Sequence, residues 1–228
     1  MSAEIKVGAV IVAAGESRRM GGADKVFALL GGKPVLARAV EPFQSCGSID
    51  QIVIVLGEQN LERGKQLAVE EEWSKVTDIC LGGRRRQDSV LAGLDRLKNC
   101  DWVVIHDGCR PLVTVDLIEQ GLAEARETGA AVAAVPVTDT IKVAGDDRIV
   151  RQTLLRQNLW AIQTPQVFSY PIIAEAYRRV KGDVTDDASL VEQLGYKVKL
   201  YMGCYDNIKI TTPDDLALAE ILWQKHEK

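Results

Sequence analysis

The sequence predicts an α/β protein with a mostly parallel sheet and helices on both of its faces. Short β-rich runs alternate along the chain with longer helical patterns, which is the order that builds such a sheet. Several of the runs are apolar at both alternating sets of positions, as expected for strands that are covered on both faces. One segment, at roughly residues 138–158, departs from this alternation and predicts a separate β-hairpin arm.

The strands and helices can be placed in chain order. The predicted strands are KVGAVIVAA (6–14), QIVIVLG (51–57), VTDICL (76–81), WVVIHD (102–107), AAVAAVPV (130–137) and YKVKLYMG (196–203). The predicted helices are KPVLARAVEPFQSC (33–46), QDSVLAGLDRLKN (87–99), TVDLIEQGLAEARETG (114–129) and TTPDDLALAEILWQK (211–225). In the last helix we expect Thr212 to be the N-cap, Pro213 the first helical residue and Asp215 part of the first turn.

The predicted arm lies within residues 137–168. Its sequence, VTDTIKVAGDDRIVRQTLLRQNLWAIQTPQVF, has short alternating stretches and a GDD turn but no good helical pattern. A hairpin of this length cannot bury itself, so we expect it to pack on a partner subunit. With no internal repeat or linker in the sequence, the prediction is a single domain over 1–228 with an arm at about 138–158.

Composition narrows the class of function. The chain has 228 residues and a formal net charge of −4, which does not favour nucleic acid or an acidic membrane as a partner. No apolar stretch approaches the roughly 20 residues that span a bilayer, and the N-terminal sequence lacks a cleavable signal pattern. Five scattered cysteines without metal-ligand spacing are typical of free thiols in a cytoplasmic protein.

The stretch VIVAAGESRRMGGADK (10–25) joins the first predicted strand to a glycine-rich loop. Such a turn at a strand carboxyl end is how α/β proteins hold phosphate. The dinucleotide pattern GxGxxG does not follow this strand, and GxxxxGK[ST] is absent from the chain. The loop instead carries Arg18, Arg19 and Lys25, which would suit a triphosphate; the alternative is a solvated turn with incidental charges.

Two further motifs sit at predicted strand ends. In LGGRRRQDSVLAGL (81–94), two glycines allow a close backbone approach and Ser89 offers a hydroxyl near a helix start, although a solvated arginine run would explain it equally well. In WVVIHDGCRP (102–111), Asp107 could hold Mg²⁺ on phosphate oxygens or simply cap the turn. His106 is better explained as a core residue whose polar tip is satisfied.

No nucleophilic residue stands out. The chain has two histidines, of which His226 lies in the C-terminal tail, and neither a Ser-His-Asp order nor a zinc-ligand cluster emerges. Covalent catalysis through histidine or cysteine is therefore not favoured. Shorter polar stretches at residues 138–142, 163–166, 185–189 and 206–211 are each ordinary turn chemistry when taken alone.

Taken in order, these stretches resemble a known family. They are AAGESRRM followed by DK, then GGRRRQDSV, HDGCRP, DTIK, R..LW before QTPQVF, TDDAS and DNIKIT.PDDLALAE. The set is similar to the cytidylyltransferases of the non-mevalonate isoprenoid pathway, which act on 2-C-methyl-D-erythritol 4-phosphate, and it covers essentially the whole chain. The resemblance implies a Rossmann-like nucleotidyltransferase fold, CTP as co-substrate, Mg²⁺ as divalent cation and a homodimer linked through the β-arms.

The resemblance also implies roles for individual residues. Those matching the family's catalytic groups are Arg19, Lys25 and Lys209. Those matching its nucleotide-binding positions are Ala13, Ala14, Gly15, Gly82, Gly83, Ser89 and Asp107, with Asp107 also matching the residue near the metal. Those matching its sugar-phosphate positions are Arg110, Thr140, Arg156, Thr164 and Thr185, of which Thr140 and Arg156 reach the neighbouring subunit.

The sequence departs from the family pattern at two places. Arg84 stands where some members carry Asp after the two glycines, so a side-chain contact to the base at this position is in question. Gly108 and Cys109 stand where two alanines are usual. Both are small residues, so the change is compatible with the same turn.

The implied reaction is attack of the substrate phosphate on the α-phosphate of CTP, with pyrophosphate leaving in line. Two alternatives remain at this point. A related cytidylyltransferase acting on ribitol 5-phosphate shares most nucleotide motifs, although R..LW before QTPQ favours the methylerythritol enzyme. A nucleotide-binding regulator without catalysis is the other. Against it stands the presence of four residues that match the family's site: Arg19, Lys25, Asp107 and Lys209.

Overall fold

A computed structural model describes residues 5–15 and 24–226, without the side chain of His226. The strands are β1 (Val7–Ala13), β2 (Leu29–Leu30), β3 (Lys33–Pro34), β4 (Gln51–Leu56), β5 (Val76–Leu81), β6 (Trp102–Asp107), β7 (Ala130–Pro136), β8 (Lys142–Ala144), β9 (Val150–Thr153), β10 (Trp160–Ser169) and β11 (Lys199–Met202). The helices are α1 (Val35–Ser45), α2 (Leu61–Glu70), α3 (Arg86–Leu94), α4 (Val115–Thr128), α5 (Tyr170–Arg179), α6 (Asp187–Gln193) and α7 (Pro213–His226). Short 3-10 turns cover Glu58–Asn60 and Arg156–Asn158.

The main sheet of the described residues has seven strands in the order β11-β7-β10-β6-β1-β4-β5. The pairs β6-β1, β1-β4, β4-β5 and β11-β7 are parallel, whereas β10 runs antiparallel to both of its neighbours. All six predicted strands are present, and all six run in one direction, with β10 as the antiparallel strand between them. The prediction of a mostly parallel sheet is therefore confirmed.

Helices cover both faces of the sheet, as predicted. One apolar core joins the sheet to α1, α2 and α4 through residues such as Phe43, Leu67 and Ile118. The core on the opposite face joins it to α3, α5 and α6 through residues such as Val90 and Ile173. Helices α2, α5 and α6 were not predicted, because each has only seven to ten residues and a mixed polar pattern.

Strand β10 corrects the prediction for the segment 137–168. The second half of this segment was not predicted as a strand of the main sheet. It nevertheless forms β10, which lies between β6 and β7 in that sheet. The run Gln163–Gln166 contains a proline and two glutamines, which is not the composition of a central strand. These polar side chains are buried because they bond to neighbouring segments instead of water, Gln163 to Cys204 and Gln166 to Asp186.

The hairpin itself is present. Strands β8 and β9 pair with each other in a separate two-stranded antiparallel sheet, inside the predicted range of 138–158. All seven residues of these two strands are exposed. The described part of the chain therefore gives the hairpin no core, and its role in joining two subunits stays a prediction.

The C-terminal helix begins as the sequence predicted. Thr212 Oγ1 accepts the Asp215 N–H at 3.3 Å, and the Asp215 carboxylate accepts the N–H groups of Thr211 and Thr212, both at 2.9 Å. These bonds satisfy backbone donors that the first helical turn leaves open. Helix α7 packs with Leu30, Val35 and Ile210 in a third small core. This packing holds the segment before α7 against the rest of the domain.

Helix α3 begins at Arg86, one residue before its predicted start, and ends at Leu94 rather than Asn99. Ahead of it, the Arg85 N–H donates to Asp88 Oδ2 at 3.1 Å.

Among the described helices, none combines the length and apolar character needed to cross a membrane. All five cysteines are free thiols, as predicted.

Candidate functional site

Two adjoining cavities open at the edge of the sheet where the parallel strands β1, β5 and β6 end. One has a volume of about 270 Å³ and is lined by the loop after β1 and the turn before α3. The other has a volume of about 450 Å³ and is lined by β10, α6 and the chain before it. Three residues line both cavities: Arg86, Asp107 and Lys209. Crevices outside strand carboxyl ends are the usual ligand sites of open α/β sheets.

The carboxylate of Asp107 lies at the junction of the cavities. Its Oδ1 accepts from Arg86 Nε at 3.0 Å and its Oδ2 from Lys209 Nζ at 2.8 Å, while Arg110 Nε lies 3.7 Å from Oδ2. Burial by itself would raise the pKa of Asp107, but the charges of Arg86 and Lys209 outweigh it and hold that pKa well below its usual range. Asp107 is therefore a fixed negative charge among three cations.

Arg86 pairs with Asp107 on one side and with a second carboxylate, that of Asp187, on the other. Its Nη1 donates to Asp187 Oδ2 at 2.8 Å, and the Tyr177 hydroxyl donates to Asp187 Oδ1 at 2.5 Å. Burial lowers the pKa of Arg86, and the two carboxylates more than reverse the effect, so the guanidinium stays charged. One arginine thus connects the end of β6 to the start of α6 through buried ion pairs.

A chain of hydrogen bonds under the junction fixes the Asp107 backbone. The Asp107 N–H donates to Thr164 Oγ1 at 3.1 Å, and the Thr164 hydroxyl lies 2.9 Å from His106 Nδ1. His106 Nε2 lies 3.0 Å from the Arg110 carbonyl, which can only accept, so this nitrogen carries the proton and Nδ1 accepts from Thr164. The prediction that His106 is a core residue with a satisfied polar tip is confirmed.

The smaller cavity brings together most of the residues predicted to bind nucleotide. Ala13, Ala14, Gly15, Gly83, Ser89 and Asp107 line it, together with Lys25, Arg84 and Cys109. Gly82 stands behind the wall, because a Cβ there would lie 2.4 Å from the Ala14 Cβ and 2.7 Å from Ser89 Oγ. Ser89 Oγ accepts the Gly83 N–H at 3.1 Å, so this hydroxyl shapes the glycine turn.

The larger cavity brings together three of the five residues predicted to bind sugar phosphate: Arg110, Thr164 and Thr185. Arg110 is held in place because its Nη1 donates to the Asn207 carbonyl at 2.7 Å. Thr185 lies in the chain just before α6 and is exposed. The cavity is therefore polar and carries positive charge at its junction end.

Thr140 and Arg156, which the sequence assigned to the sugar-phosphate site, line neither of these two cavities. Arg18 and Arg19 lie outside the described residues, so the catalytic role of Arg19 stays a prediction. Thr140 and Arg156 are exposed beside the hairpin, where Arg156 Nη1 donates to the Thr138 carbonyl at 2.6 Å.

Arg86 and the partners that surround it were not predicted from the sequence. Arg86 was part of an arginine run that could equally have been a solvated turn, and its neighbour Arg85 is indeed exposed. The available signal was position, since Arg86 is the first residue of a helix that follows a glycine turn at a strand end. Asp187 and Tyr177 are about a hundred positions away in the sequence, where no local pattern could pair them with it.

The comparison with known proteins decides the family. A family model described as 2-C-methyl-D-erythritol 4-phosphate cytidylyltransferase matches residues 7–225. The chain belongs to this cytidylyltransferase family. A relative of that name from Dehalococcoides mccartyi is 56% identical over 220 residues, which is 96% of this chain and 97% of the relative. Another, from Alkaliphilus oremlandii, is 44% identical and covers 94% of both chains.

Solved structures carry the same fold. The 4-diphosphocytidyl-2C-methyl-D-erythritol synthase from Anaerococcus prevotii superposes with a TM-score of 0.86 at 30% identity and covers 96% of both chains. The 2-C-methyl-D-erythritol 4-phosphate cytidylyltransferase from Thermus thermophilus gives 0.78 at 31% identity, over 96% of this chain and all of that one. The α/β nucleotidyltransferase fold implied by the sequence motifs is therefore confirmed.

Burial of His106 predicts a specific pH dependence of stability in this cytidylyltransferase. Burial lowers the pKa of His106 to about 4 from the usual 6.5. The unfolded chain therefore takes up this proton first as the pH falls, so stability is full above about pH 6.5 and declines toward pH 4. We expect His106 alone to account for a loss of about 3 kcal/mol in the free energy of unfolding across this range.

Urea unfolding of the wild type and of His106→Gln at several pH values between 7 and 4 measures this contribution. The variant should be less stable at pH 7, because it disturbs the bonds to Thr164 and Arg110, and its stability should fall less steeply as the pH is lowered. Equal slopes for the two proteins would show that His106 does not titrate as its burial requires.

Proposed function

We propose that this chain transfers the cytidylyl group of CTP to 2-C-methyl-D-erythritol 4-phosphate, giving 4-diphosphocytidyl-2-C-methyl-D-erythritol and pyrophosphate. The family and the near-complete coverage of its relatives support this activity. The observation that carries it is geometric: a cavity for each substrate, with Arg86, Asp107 and Lys209 common to both. Two phosphorylated molecules in these cavities would meet where the cations are concentrated.

The proposed reaction needs little acid–base help from the protein. The substrate phosphate is already anionic, so it can attack the α-phosphate of CTP directly while pyrophosphate leaves on the opposite side. Positioning and charge neutralisation then supply most of the rate. Lys25 faces the smaller cavity and would neutralise the triphosphate together with Arg19, and Lys209 would act at the junction between the two substrates.

Lys209 would change partners during the reaction. In the described state its ammonium donates to Asp107 Oδ2, and its side chain is 37% exposed. Arg86 and Arg110 are more deeply buried and would stay with Asp107 when phosphates enter. The exposed lysine is therefore the cation that can turn toward phosphate, while the arginines keep the carboxylate compensated.

The cytosine ring would be recognised largely by backbone. Ala13 ends strand β1 and Ala14 and Gly15 follow it; all three line the smaller cavity together with Gly83, so the main chain of these small residues would lie within reach of the ring. Ser89 would support the glycine turn through its bond to the Gly83 N–H. In this arrangement Arg84 does not need to replace an acidic side chain, because the base contact would come from the main chain.

A divalent cation would bind together with the nucleotide. Among the described residues, no three His, Cys, Asp or Glu side chains are arranged to hold a metal. Mg²⁺ is commonly bound by one or two carboxylates plus substrate phosphates, and Asp107 is the carboxylate at the place where the phosphates would lie. Mg²⁺ bound there would neutralise phosphate charge, with Asp107 as its protein ligand.

We further propose a cytoplasmic homodimer in which the hairpin reaches the partner subunit. The hairpin and the turn after it expose Ile149, Val150 and Leu155, each by more than half. A two-stranded hairpin is marginal in water by itself, and a two-fold dimer would cover both copies. Thr140 and Arg156 would then complete the larger cavity of the partner, where the arginine could bind a phosphate through two nitrogens.

A turnover assay distinguishes the proposed substrate from its alternatives. Purified protein with CTP and Mg²⁺ is given either 2-C-methyl-D-erythritol 4-phosphate or ribitol 5-phosphate, and pyrophosphate release is measured. We expect turnover with the first and at most a weak signal with the second. Preference for ribitol 5-phosphate, or nucleotide binding without turnover on either substrate, would contradict the proposal.

Lys25→Ala is the matched inactive variant for this assay. Loss of one charge-stabilising group at a reacting centre typically lowers kcat by about 10²-fold or more, while folding should be unaffected because the residue lies at a cavity wall. Lys98→Ala removes an exposed lysine at the other end of the sheet and should leave turnover unchanged. Near-normal turnover by folded Lys25→Ala would remove this lysine from the mechanism.

Sharing of the site between subunits is tested by complementation. Arg156→Ala and Lys25→Ala are purified as inactive proteins, mixed, and allowed to exchange subunits. If each site takes Arg156 from its neighbour, a mixed dimer contains one site with both substitutions and one intact site, so activity should return. Confirmed exchange by native mass spectrometry without recovered activity would show that the hairpin serves its own subunit.

A further inference from the structure

The segment before α6 forms one wall of the larger cavity. This segment, residues 181–186, lies between α5 and α6, and its Thr185 and Asp186 line the cavity. It has no regular secondary structure, and Gly182 takes a φ of +112°, which favours glycine. Its position therefore depends on contacts made from outside it.

The side chain of Gln87, in the first turn of α3, binds this segment at two points. Its Nε2 donates to the Gly182 carbonyl at 2.8 Å, and its Oε1 accepts the Val184 N–H at 3.1 Å. The two bonds lie on either side of Asp183 and use both ends of one planar amide. A flipped amide would lose both bonds, so the segment is fixed in position and in orientation.

A neighbouring ion pair supports this clasp. Arg85 Nη1 donates to Asp183 Oδ1 at 2.6 Å, while the rest of the guanidinium is held by Asp88. Asp183 is mostly exposed, so the ion pair adds less than its short distance suggests. The half-buried Gln87 carries the greater part of the connection.

The clasp joins the walls of the two cavities. Helix α3 begins with Arg86, which lines both cavities, and continues to Ser89 in the wall of the smaller one. Gln87 lies between these residues but lines neither cavity. We infer that Gln87 is a positioning residue for the sugar phosphate. By binding the backbone of Val184, Gln87 holds Thr185 in the wall of the larger cavity. The inference rests on the proposed function, in which the larger cavity takes the sugar phosphate.

Loss of the clasp should affect one substrate only. Without it the segment 181–186 occupies several conformations, and the sugar phosphate binds only the fraction with Thr185 in place. The apparent affinity for the sugar phosphate is reduced in proportion to that fraction. The smaller cavity does not include this segment, so CTP binding is unaffected, and a bound sugar phosphate still reaches the same junction.

Steady-state kinetics of Gln87→Met tests the inference, because methionine keeps the length of the side chain and makes neither bond. We expect KM for 2-C-methyl-D-erythritol 4-phosphate to rise about tenfold, since two backbone hydrogen bonds are lost. Both kcat and KM for CTP should stay within about twofold of the wild type, as the chemical step and the nucleotide cavity are untouched. Deuterium exchange of peptides covering 180–186 should become faster.

Gln66→Met is the matched control, because Gln66 is an exposed glutamine on α2 whose amide donates to Glu70 on the same helix. It should change none of these quantities. An unchanged KM for the sugar phosphate, a parallel rise in both KM values, a fall confined to kcat, or unchanged exchange at 180–186 would each overturn the inference. A wild-type protein without turnover would instead overturn the proposed function, and the inference with it.

Discussion

The buried carboxylate of Asp107 is the constraint on which the site depends. A negative charge at this depth is stable only because Arg86 and Lys209 bind its two oxygens and Arg110 lies close by. The cations are thereby collected at the one place that both cavities share. A protein that must bring two phosphorylated molecules together needs this concentration of positive charge, and the carboxylate allows it to exist before either molecule binds.

The rest of the scaffold holds this cluster in place. Thr164 and His106 fix the backbone under Asp107, and Asp187 fixes the far side of Arg86. Strand β10 is central to this support because it inserts Thr164 and Gln166 between β6 and β7, where apolar residues would be expected. Buried polar groups of this kind are stable only when every hydrogen-bond partner is present. The same hydrogen bonds are therefore needed both to pack this part of the sheet and to hold the site.

Much of the fold followed from local pattern. Strands β1, β4 and β6 are apolar runs bounded by turns, and Thr212 and Asp215 predict the cap of α7. Strand β10 could not be predicted, since its glutamines are buried through bonds to distant segments. Asp107 was predictable as a site residue because parallel strands end at a common edge, whereas Arg86 was not, because its partner Asp187 is about a hundred positions away.

The free energy of unfolding of Arg86→Met, compared with Arg84→Met, tests the central claim most directly. The two arginines belong to one run, but Arg86 compensates two buried carboxylates and Arg84 is exposed. We expect a loss of about 3–5 kcal/mol for Arg86→Met and a change within about 0.5 kcal/mol for Arg84→Met, measured by urea unfolding at pH 7. Small and equal effects would contradict the claim that the carboxylates depend on Arg86.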